Sequence, residues 1–450
     1  MSSMQLLPYK QQVSSLLRLG LPIVVGQLGM IILGLADTIM IGHHSTEELA
    51  AAAFVNNVFN LAIIFATGFS YGLTPLIGML QGGGNTQGIG RVFRNALAAN
   101  ASVAVLLTAV MYTVYCFVDK LGQPEELLPH IRPYFVLQLI SLLFIMLFNG
   151  FRQFAEGLTD TRTPMWILLG GNALNIFGNY LLIYGSFGFP EWGLFGAGVS
   201  TLVSRIVMLL VFIGVVAVAR RYKVYREAIL RSRFNRNDFI QLNALGWPIA
   251  LQMGMETAAF SLSAIMVGWL GSIPLAAHQI MISVSTIGFM VYYGMGAALA
   301  VRVSHFMGQK DFPNLRRAVN SGMGIILSLT IVASLFFYLV RTPIIYSFTE
   351  DHEVMIVVSS LIFSLIVYQF GDALQITFAN ALRGTTDVKP MMWIAFFSYF
   401  IVALPVGYLC GFTWGGGVVG VWVAFPAGLF TAGFLFWLRF RYRLQQLMKK

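Results

Sequence analysis

The chain alternates between long apolar runs and short polar connections. An α-helix needs about 20 apolar residues to cross roughly 30 Å of hydrocarbon, and twelve segments meet this requirement. They lie at approximately residues 16–41, 50–77, 95–117, 132–154, 165–187, 194–218, 243–269, 275–301, 318–340, 354–378, 391–411 and 416–438. Glycines are dispersed through these runs, which suits closely packed helices in lipid. The pattern predicts an all-α integral membrane protein with twelve transmembrane helices.

Composition supports this membrane class. Hydrophobic residues make up 57% of the 450 residues and charged residues only 10%, against about 25% charged in an average soluble domain. The net charge of +10 would suggest a nucleic-acid partner in a soluble protein. Here the basic residues form short clusters between apolar runs, so membrane orientation explains them better and no nucleic-acid partner is predicted. Cys116 and Cys410 lie in apolar runs, which favours neither disulfides nor a cysteine metal site.

The distribution of positive charge predicts the orientation. Cytoplasmic loops of membrane proteins retain Lys and Arg. Most of the 28 basic residues fall on the side that holds both termini, whereas Lys120, Arg132 and Arg341 fall on the other side and Arg205 lies inside a span. Both termini are therefore expected to be cytoplasmic, which requires an even number of spans. No cleavage site separates the amino terminus from the first span, so this span is expected to remain in the mature protein.

The two halves of the chain repeat each other. Residues 19–22 (LGLP) match residues 245–248 (LGWP) at a separation of 226 positions, and the turn at 157–160 matches that at 384–387. Each half has six spans, so both enter from the same side and the repeat is parallel. We expect two six-helix bundles with substrate bound in a cleft between them. The predicted ranges are 1–219 for the amino-terminal lobe, 220–240 for a cytoplasmic linker and 241–450 for the carboxy-terminal lobe.

The linker itself carries seven positive charges and no apolar run. A charged segment of this kind between two bundles is usually solvated. We therefore interpret it as a solvated tether in preference to a regulatory segment.

Three acidic residues, Asp37, Glu256 and Asp372, remain inside the predicted spans. A carboxylate at the bilayer centre costs at least about 2.5 kcal/mol and normally faces the protein interior or a water-filled cavity. None of the three has a basic residue one helical turn away, so each is expected to be ion-bound, protonated or paired through a tertiary contact. The alternative is a buried carboxylate that only joins neighbouring helices by hydrogen bonds.

Polar stripes accompany these carboxylates. Span five carries Asn172, Asn175 and Asn179, whose spacing places them on one helix face, and span ten carries Tyr368 and Gln375 on either side of its aspartate. Oxygen ligands of this kind suit hard cations such as Na⁺ and equally suit a proton relay. An asparagine stripe can also serve only to join helices.

Other polar residues give weaker signals. Arg205 suits a counter-charge for a carboxylate, a side chain reaching an interface, or a substrate contact equally well. Four histidines near outward loops are interpreted as solvated surface: His43, His44, His130 and His352. No H-E-x-x-H, G-x-S-x-G or Walker A pattern occurs in the sequence, so neither hydrolysis nor ATP drive is supported. We expect no enzyme activity, no cofactor and an ion gradient as the energy source.

Several positions are individually weak but specific in combination. They are Pro22, Gln27 and the segment 37–42 (DTIMIG) in span one, 175–179 (NIFGN) in span five, Glu256 in span seven, and Tyr368 with Asp372 in span ten. Together with the repeat, this arrangement resembles the multidrug and toxic compound extrusion (MATE) family, and more specifically its NorM-type branch, over essentially the whole chain.

The resemblance implies a V-shaped, two-lobed transporter in the bacterial cytoplasmic (inner) membrane. Such a protein would export small organic cations by alternating access in antiport with Na⁺ or H⁺, would contact membrane lipid, and is expected to work as a monomer. By motif, Asp37, Asn175 and Asn179 would form an amino-lobe cation or proton site. Glu256, Asp372 and Tyr368 would form a carboxy-lobe site where Na⁺ can bind. Pro22 would bend the first span, and Tyr292 or Tyr293 would lie near the cation.

Three other functions compete with cation-coupled drug export. A lipid-linked saccharide flippase of the wider superfamily would favour a strongly cationic cavity, whereas the identifiable cavity charges here are mainly acidic. An integral-membrane enzyme would need a nucleophile or metal constellation that the sequence does not show. A channel would not require a repeat that moves between two states. For the exporter, aromatic and methionine side chains favour flat, monovalent organic cations as substrates.

Overall fold

The computed structural model describes residues 6–348 and 351–449, and the regular structure of these residues is helical. In the first half the helices are α1 (Tyr9–His44), α2 (Thr46–Ser70), α3 (Leu73–Gly82), α4 (Thr86–Cys116), α5 (Leu128–Gly157), α6 (Arg162–Ile183), α7 (Gly193–Val218) and α8 (Lys223–Arg231). In the second half they are α9 (Arg236–Gly268), α10 (Ser272–Gln309), α11 (Phe312–Leu339), α12 (Arg341–Phe348), α13 (His352–Gly384), α14 (Lys389–Phe396), α15 (Leu404–Tyr408), α16 (Gly417–Trp422) and α17 (Ala424–Lys449).

Twelve segments of the described chain are long and apolar enough to cross a membrane, which confirms the number predicted from hydropathy. Most of these segments are single helices. One span combines α2 with α3, and the last combines α16 with α17. In the eleventh span, the π-helical segment Phe397–Ala403 joins α14 to α15, and a second one, Leu409–Thr413, follows α15. Such wide turns are rare and are often found at functional sites.

The helices form two compact units. One unit comprises Val25–Ala250, and the other comprises Met1–Val24 together with Leu251–Lys450. The unit boundaries therefore fall inside α1 and α9, whereas the predicted lobe boundaries fall in the segment that connects the halves. The first part of each of these two helices packs with helices from the opposite half of the sequence.

Glycine contacts explain this exchange. A Cβ on Gly246 of α9 would lie 2.6 Å from the ring of Phe69 and 2.9 Å from its carbonyl oxygen, so only glycine allows this approach. At the equivalent position of the other half, a Cβ on Gly20 of α1 would lie 2.4 Å from the sulfur of Met295. Both pairs are related by the same separation of 226 residues. The repeat thus extends from the sequence to individual packing contacts.

Helix ends repeat in the same way. Asn85 caps α4 by accepting from the backbone N–H of Gly88 at 2.8 Å, and Asp311 caps α11 by accepting from Asn314 at 3.1 Å. Side-chain oxygens at these positions satisfy N–H groups that the first helical turn leaves unpaired. The residue before each cap has a positive φ, 71° at Gly84 and 57° at its counterpart Lys310. Predicted repeats therefore share their turn geometry even where the residue type differs.

A third repeated feature lies where α5 and α13 end. Thr159 and Thr386 both adopt the left-handed conformation, with φ of 65° and 59°. The aspartate that follows each threonine pairs with an arginine near the end of the sixth span of its half or just after it. Asp160 lies 3.1 Å from Arg221, and the carboxylate of Asp387 accepts from Arg439 at 2.6 Å.

The connecting segment is folded against its own unit, so it is not the free tether that its charge suggested, although most of its side chains are exposed or half-buried. Its helix α8 lies so close to α4 that a Cβ on Gly90 would meet the carbonyl carbon of Ala228 at 2.4 Å. Tyr222 is buried and donates to Asp160 at 2.8 Å. Burial, together with that carboxylate, raises the pKa of Tyr222 well above its usual range, so it remains a neutral donor. The segment therefore belongs to the compact unit formed by residues 25–250.

Candidate functional site

The predicted amino-lobe residues come together in one unit. Asn179 of α6 donates from Nδ2 to Oδ1 of Asp37 on α1 at 2.6 Å. Asn175 lies one turn earlier on α6. In the amide orientation that satisfies both of its polar atoms, it donates to the same carboxylate at 3.0 Å and accepts from the hydroxyl of Thr201 on α7 at 3.0 Å. Both asparagines are buried, so two neutral amides hold the carboxylate.

A cavity of about 130 Å³ opens beside this carboxylate. Its lining residues come from five helices of the unit: Leu33, Asp37, Asn56, Tyr134, Gln138, Gly171, Asn172, Asn175, Thr201, Ser204, Arg205 and Met208. The third asparagine of the predicted stripe, Asn172, thus faces the same space, and its Nδ2 has no hydrogen-bond partner among the described residues. A cavity of this size with several polar groups can hold water.

Arg205 lines the same cavity as Asp37. Its guanidinium donates from Nη1 to Oε1 of Gln138 at 2.9 Å and to the hydroxyl of Ser141. Gln138 in turn donates to Tyr134 at 3.0 Å. The charges of Arg205 and Asp37 interact, but no ion pair within 4.0 Å joins them in the described part of the chain. The cavity therefore contains one positive and one negative group that are not in direct contact.

The second cluster surrounds Glu256 of α9. Its Oε2 accepts from Gln252 at 2.9 Å and from Gln375 of α13 at 3.1 Å. Gln252 also accepts from the buried guanidinium of Arg383 at 2.7 Å. The carboxylate is thus connected to a positive charge through a neutral amide. The sequence placed Arg383 in a cytoplasmic cluster and did not indicate this connection.

Asp372 lies three residues before Gln375 on α13 and is only 1% exposed. Among the described residues its Oδ2 has no hydrogen-bond partner. Its charge interacts with that of Glu256, so both carboxylates belong to one electrostatic cluster in the same unit. Tyr368 lies one turn earlier on the same helix, interacts electrostatically with both carboxylates and packs edge-on against Phe260 at a ring separation of 6.1 Å.

Both candidate tyrosines lie on α10. The hydroxyl of Tyr292 donates to Gln369 at 2.7 Å, three residues before Asp372 on α13. Tyr293 packs against Phe289 at a ring separation of 5.5 Å. Pro22 lies buried within α1, two residues before the point where that helix passes between units, and Pro248 occupies the equivalent point of α9.

The comparison with protein families decides the class. The MatE profile matches residues 22–181 and 248–409, so the two matches begin at the two prolines, 226 residues apart. The chain belongs to the MatE (MATE) family.

Relatives of this MATE protein extend over its whole length. It is 30% identical over 448 residues to the multidrug resistance protein NorM of Photobacterium profundum, covering 96% of each chain. Its fold matches that of a multidrug resistance MATE family transporter of the MOP superfamily with a TM-score of 0.89 at 20% identity, covering 99% of this chain and 100% of the other. It also matches a MOP superfamily transporter from Pyrococcus furiosus with a TM-score of 0.86 at 19% identity, covering 98% and 97%.

These matches confirm the predicted family and the twelve-span helical fold of the MATE protein.

The two clusters offer few of the side chains that usually bind metal ions. Across the described residues, no group of three or more His, Cys, Asp and Glu side chains converges as a metal site. A cation in either cluster would therefore need hydroxyl, amide or carbonyl oxygens in addition to carboxylates.

One polar cluster of the MATE protein was missed in the sequence. His44 was interpreted as solvated surface, but it lies 2.8 Å from Oε2 of Glu48 and 3.0 Å from Glu191. Glu48 is buried, accepts from the backbone of Leu194 at 2.9 Å, and lies 3.7 Å from His130. These contacts tie the end of α1 to α2, α5 and the loop before α7. Only the i, i+4 spacing of His44 and Glu48 signalled them in the sequence.

Proposed function

We propose that this chain is a secondary active exporter of organic cations that works by antiport with Na⁺ or H⁺. One observation carries the proposal. The Asp37 carboxylate borders a polar cavity inside a candidate membrane span, and it is held by neutral amides instead of a direct ion pair. A negative charge in this position needs a proton, a metal cation or a cationic ligand.

The mechanism follows from competition for that negative charge. A coupling cation or proton and a drug cation can each neutralise Asp37, and a ligand shifts a conformational equilibrium only by its differential affinity for the two states. The neighbouring guanidinium of Arg205 lowers the affinity for every cation in the cavity. Such a charge would prevent either ligand from binding so tightly that it cannot leave.

The carboxy-terminal cluster supports a second ion site. Glu256 and Asp372 interact electrostatically, and Tyr368 interacts with both of them. Two carboxylates that repel each other favour a shared proton or a bound cation. We propose Na⁺ or H⁺ as the coupling ion there, with no other cofactor. The similarity to a protein called multidrug resistance protein NorM supports several organic cations as substrates in preference to one.

Lipid-linked saccharide transport is the competing proposal. For the MOP superfamily transporter from Pyrococcus furiosus, the reverse polarity of its binding pocket suggests a different function, so this architecture alone does not decide the substrate. Arg205 would suit a pyrophosphate headgroup better than a cation. Against this, Asp37 lines the same cavity and has no counterpart cluster of basic residues among the described cavity-lining side chains.

Counterflow in proteoliposomes tests the proposal. Purified protein is reconstituted, an ethidium-like dye is loaded on one side, and Na⁺ and pH gradients are imposed separately. Dye movement driven by either gradient, and abolished when that gradient is collapsed, supports cation antiport. Dye movement indifferent to both ions would exclude it and favour the flippase.

By location, we propose a multi-pass protein of the bacterial cytoplasmic membrane with both termini in the cytoplasm, as the positive charges predict. We further propose that it functions as a monomer. Crosslinking in native membranes, with transport measured at the same protein density, tests the second point.

A further inference from the structure

The segment from Arg220 to Arg236 combines exposed charge with exposed apolar side chains. Val224, Leu230 and Phe234 are 60%, 74% and 60% exposed, respectively, although these three residues lie outside the candidate membrane spans. The segment carries seven basic residues and Glu227 as its acidic residue. Water-exposed loops rarely present large aliphatic and aromatic side chains so regularly between basic ones.

The folding of α8 separates these side chains onto two faces. Tyr222, Tyr225 and Ile229 turn toward the helices of their own unit, where Tyr225 donates to Gln81 at 2.8 Å. Lys223, Val224, Glu227, Leu230 and Arg231 occupy the opposite, exposed face. This outer face is therefore held in a fixed orientation by the packed one.

Two of the basic residues already have partners within the protein. Arg221 pairs with Asp160, and Arg226 donates to the carbonyl of Ala217. In the described part of the chain, Lys223, Arg231 and Arg233 form no ion pair within 4.0 Å. With Glu227 as the acidic residue on the same face, Lys223, Arg231 and Arg233 still leave an excess of positive charge there.

Chain length keeps this face close to the bilayer. Only residues 219–222 separate the end of α7 from α8, and three of them form a 3₁₀ turn, which rises about 2 Å per residue. α7 has 26 residues and at 1.5 Å per residue exceeds the roughly 30 Å hydrocarbon layer. α8 therefore begins in or next to the headgroup layer.

We propose that the exposed face of α8, with Phe234, is a docking surface for anionic lipid headgroups. The aliphatic side chains would enter the headgroup boundary while Lys223, Arg231 and Arg233 contact lipid phosphates, as in interfacial amphipathic helices. An acidic soluble protein is a less suitable partner, because it would have to approach within a few ångströms of the membrane.

A depth measurement tests this. Leu230→Cys is placed in a Cys116→Ser, Cys410→Ser background, labelled with an environment-sensitive fluorophore, and reconstituted into phosphatidylcholine vesicles with or without phosphatidylglycerol. Quenching by nitroxide-labelled lipid reports proximity to the bilayer. The matched control is Gln87→Cys, exposed in the first turn of α4. We expect Leu230 to be quenched at least about twofold more than Gln87, and more strongly with phosphatidylglycerol than without it.

Charge variants complete the test. Lys223→Gln, Arg231→Gln and Arg233→Gln together should remove the phosphatidylglycerol-dependent part of the quenching. Lys310→Gln, Arg316→Gln and Lys389→Gln, three exposed basic residues elsewhere, should leave it unchanged. Equal quenching at Leu230 and Gln87 in every vesicle would overturn the proposal, as would an unchanged phosphatidylglycerol effect in the first triple variant. Size-exclusion profiles show whether each variant is folded.

Discussion

Asn179 donates a 2.6 Å hydrogen bond to Asp37 and joins α6 to α1 beside the cavity. An amide stabilises a carboxylate without neutralising it, so Asp37 keeps the ability to exchange a proton or cation. Asp37→Asn removes the charge but approximately keeps the shape. We expect gradient-driven dye efflux to fall by about 5- to 150-fold, the range of typical coupling free energies, with membrane insertion unchanged.

The matched control for this variant lies on the same helix. Thr38 is exposed, and its hydroxyl donates only to the carbonyl of Gly34 at 2.8 Å. Thr38→Val should transport like the wild type. Undiminished efflux by correctly inserted Asp37→Asn protein would show that the carboxylate has only a structural role.

Arg205 should weaken cation binding from within the cavity. Two unit charges about 10 Å apart at an effective dielectric of 20 interact by roughly 1.7 kcal/mol, so Arg205→Gln should tighten binding of a cationic dye by about 20-fold. Arg205→Lys keeps the charge and should bind like the wild type. Fluorescence anisotropy with purified protein measures both affinities. Weaker binding by Arg205→Gln would instead assign the guanidinium a structural role through Gln138 and Ser141.

Hydropathy was sufficient to predict the spans, because a bilayer requires apolar length whatever the tertiary contacts, and residues matching at a fixed separation predicted the repeat. The local spacing of Asn175 and Asn179 also predicted a shared face correctly. Contacts that depend on distant helices were not visible. The link from Arg383 through Gln252 to Glu256 spans 131 residues of sequence in its first step alone.

The linker shows a different limit of the sequence. Its charge predicted a solvated tether. The segment nevertheless packs against α4, because the missing side chain of Gly90 lets α8 approach. A glycine inside an apolar helix gives no sign of which neighbour it admits. His44 illustrates the same point, since its second partner Glu191 lies 147 residues away.

Sodium binding at the carboxy-terminal cluster should appear as thermal stabilisation. A ligand at 100 times its dissociation constant stabilises the folded state by about 2.7 kcal/mol. Na⁺ should therefore raise the melting temperature of purified protein relative to choline at equal ionic strength. Glu256→Gln and Asp372→Asn should each abolish this rise, whereas Asp37→Asn should retain it. An identical melting temperature in both salts would indicate a proton site instead.

Helix packing at the repeated turns should tolerate no added methyl group. A Cβ on Gly384 would lie 2.7 Å from Cβ of Val303 and 2.8 Å from the carbonyl of Ala300, so Gly384→Ala should destabilise the protein by about 1–3 kcal/mol. Its equivalent, Gly157→Ala, meets Ile77 at 2.7 Å and should behave alike. Gly324→Ala has nothing within 4 Å and should gain up to about 1 kcal/mol of helix stability. Thermal unfolding in detergent compares the three, and equal effects would refute the packing argument.

External ions should accelerate the release of bound drug, because drug and coupling ion compete for negative charge. Pre-loaded protein in proteoliposomes is diluted into buffers that differ only in Na⁺ or only in pH, and dye release is followed by fluorescence. If drug and coupling ion share Asp37, the ion that binds there should speed dye release in the wild type. Asp37→Asn should then release dye at a rate independent of that ion. If the ion acts only at Glu256 and Asp372, the acceleration should survive in Asp37→Asn and vanish in Glu256→Gln. A wild-type release rate indifferent to both ions would contradict exchange at either cluster, since a ligand without differential affinity shifts no equilibrium.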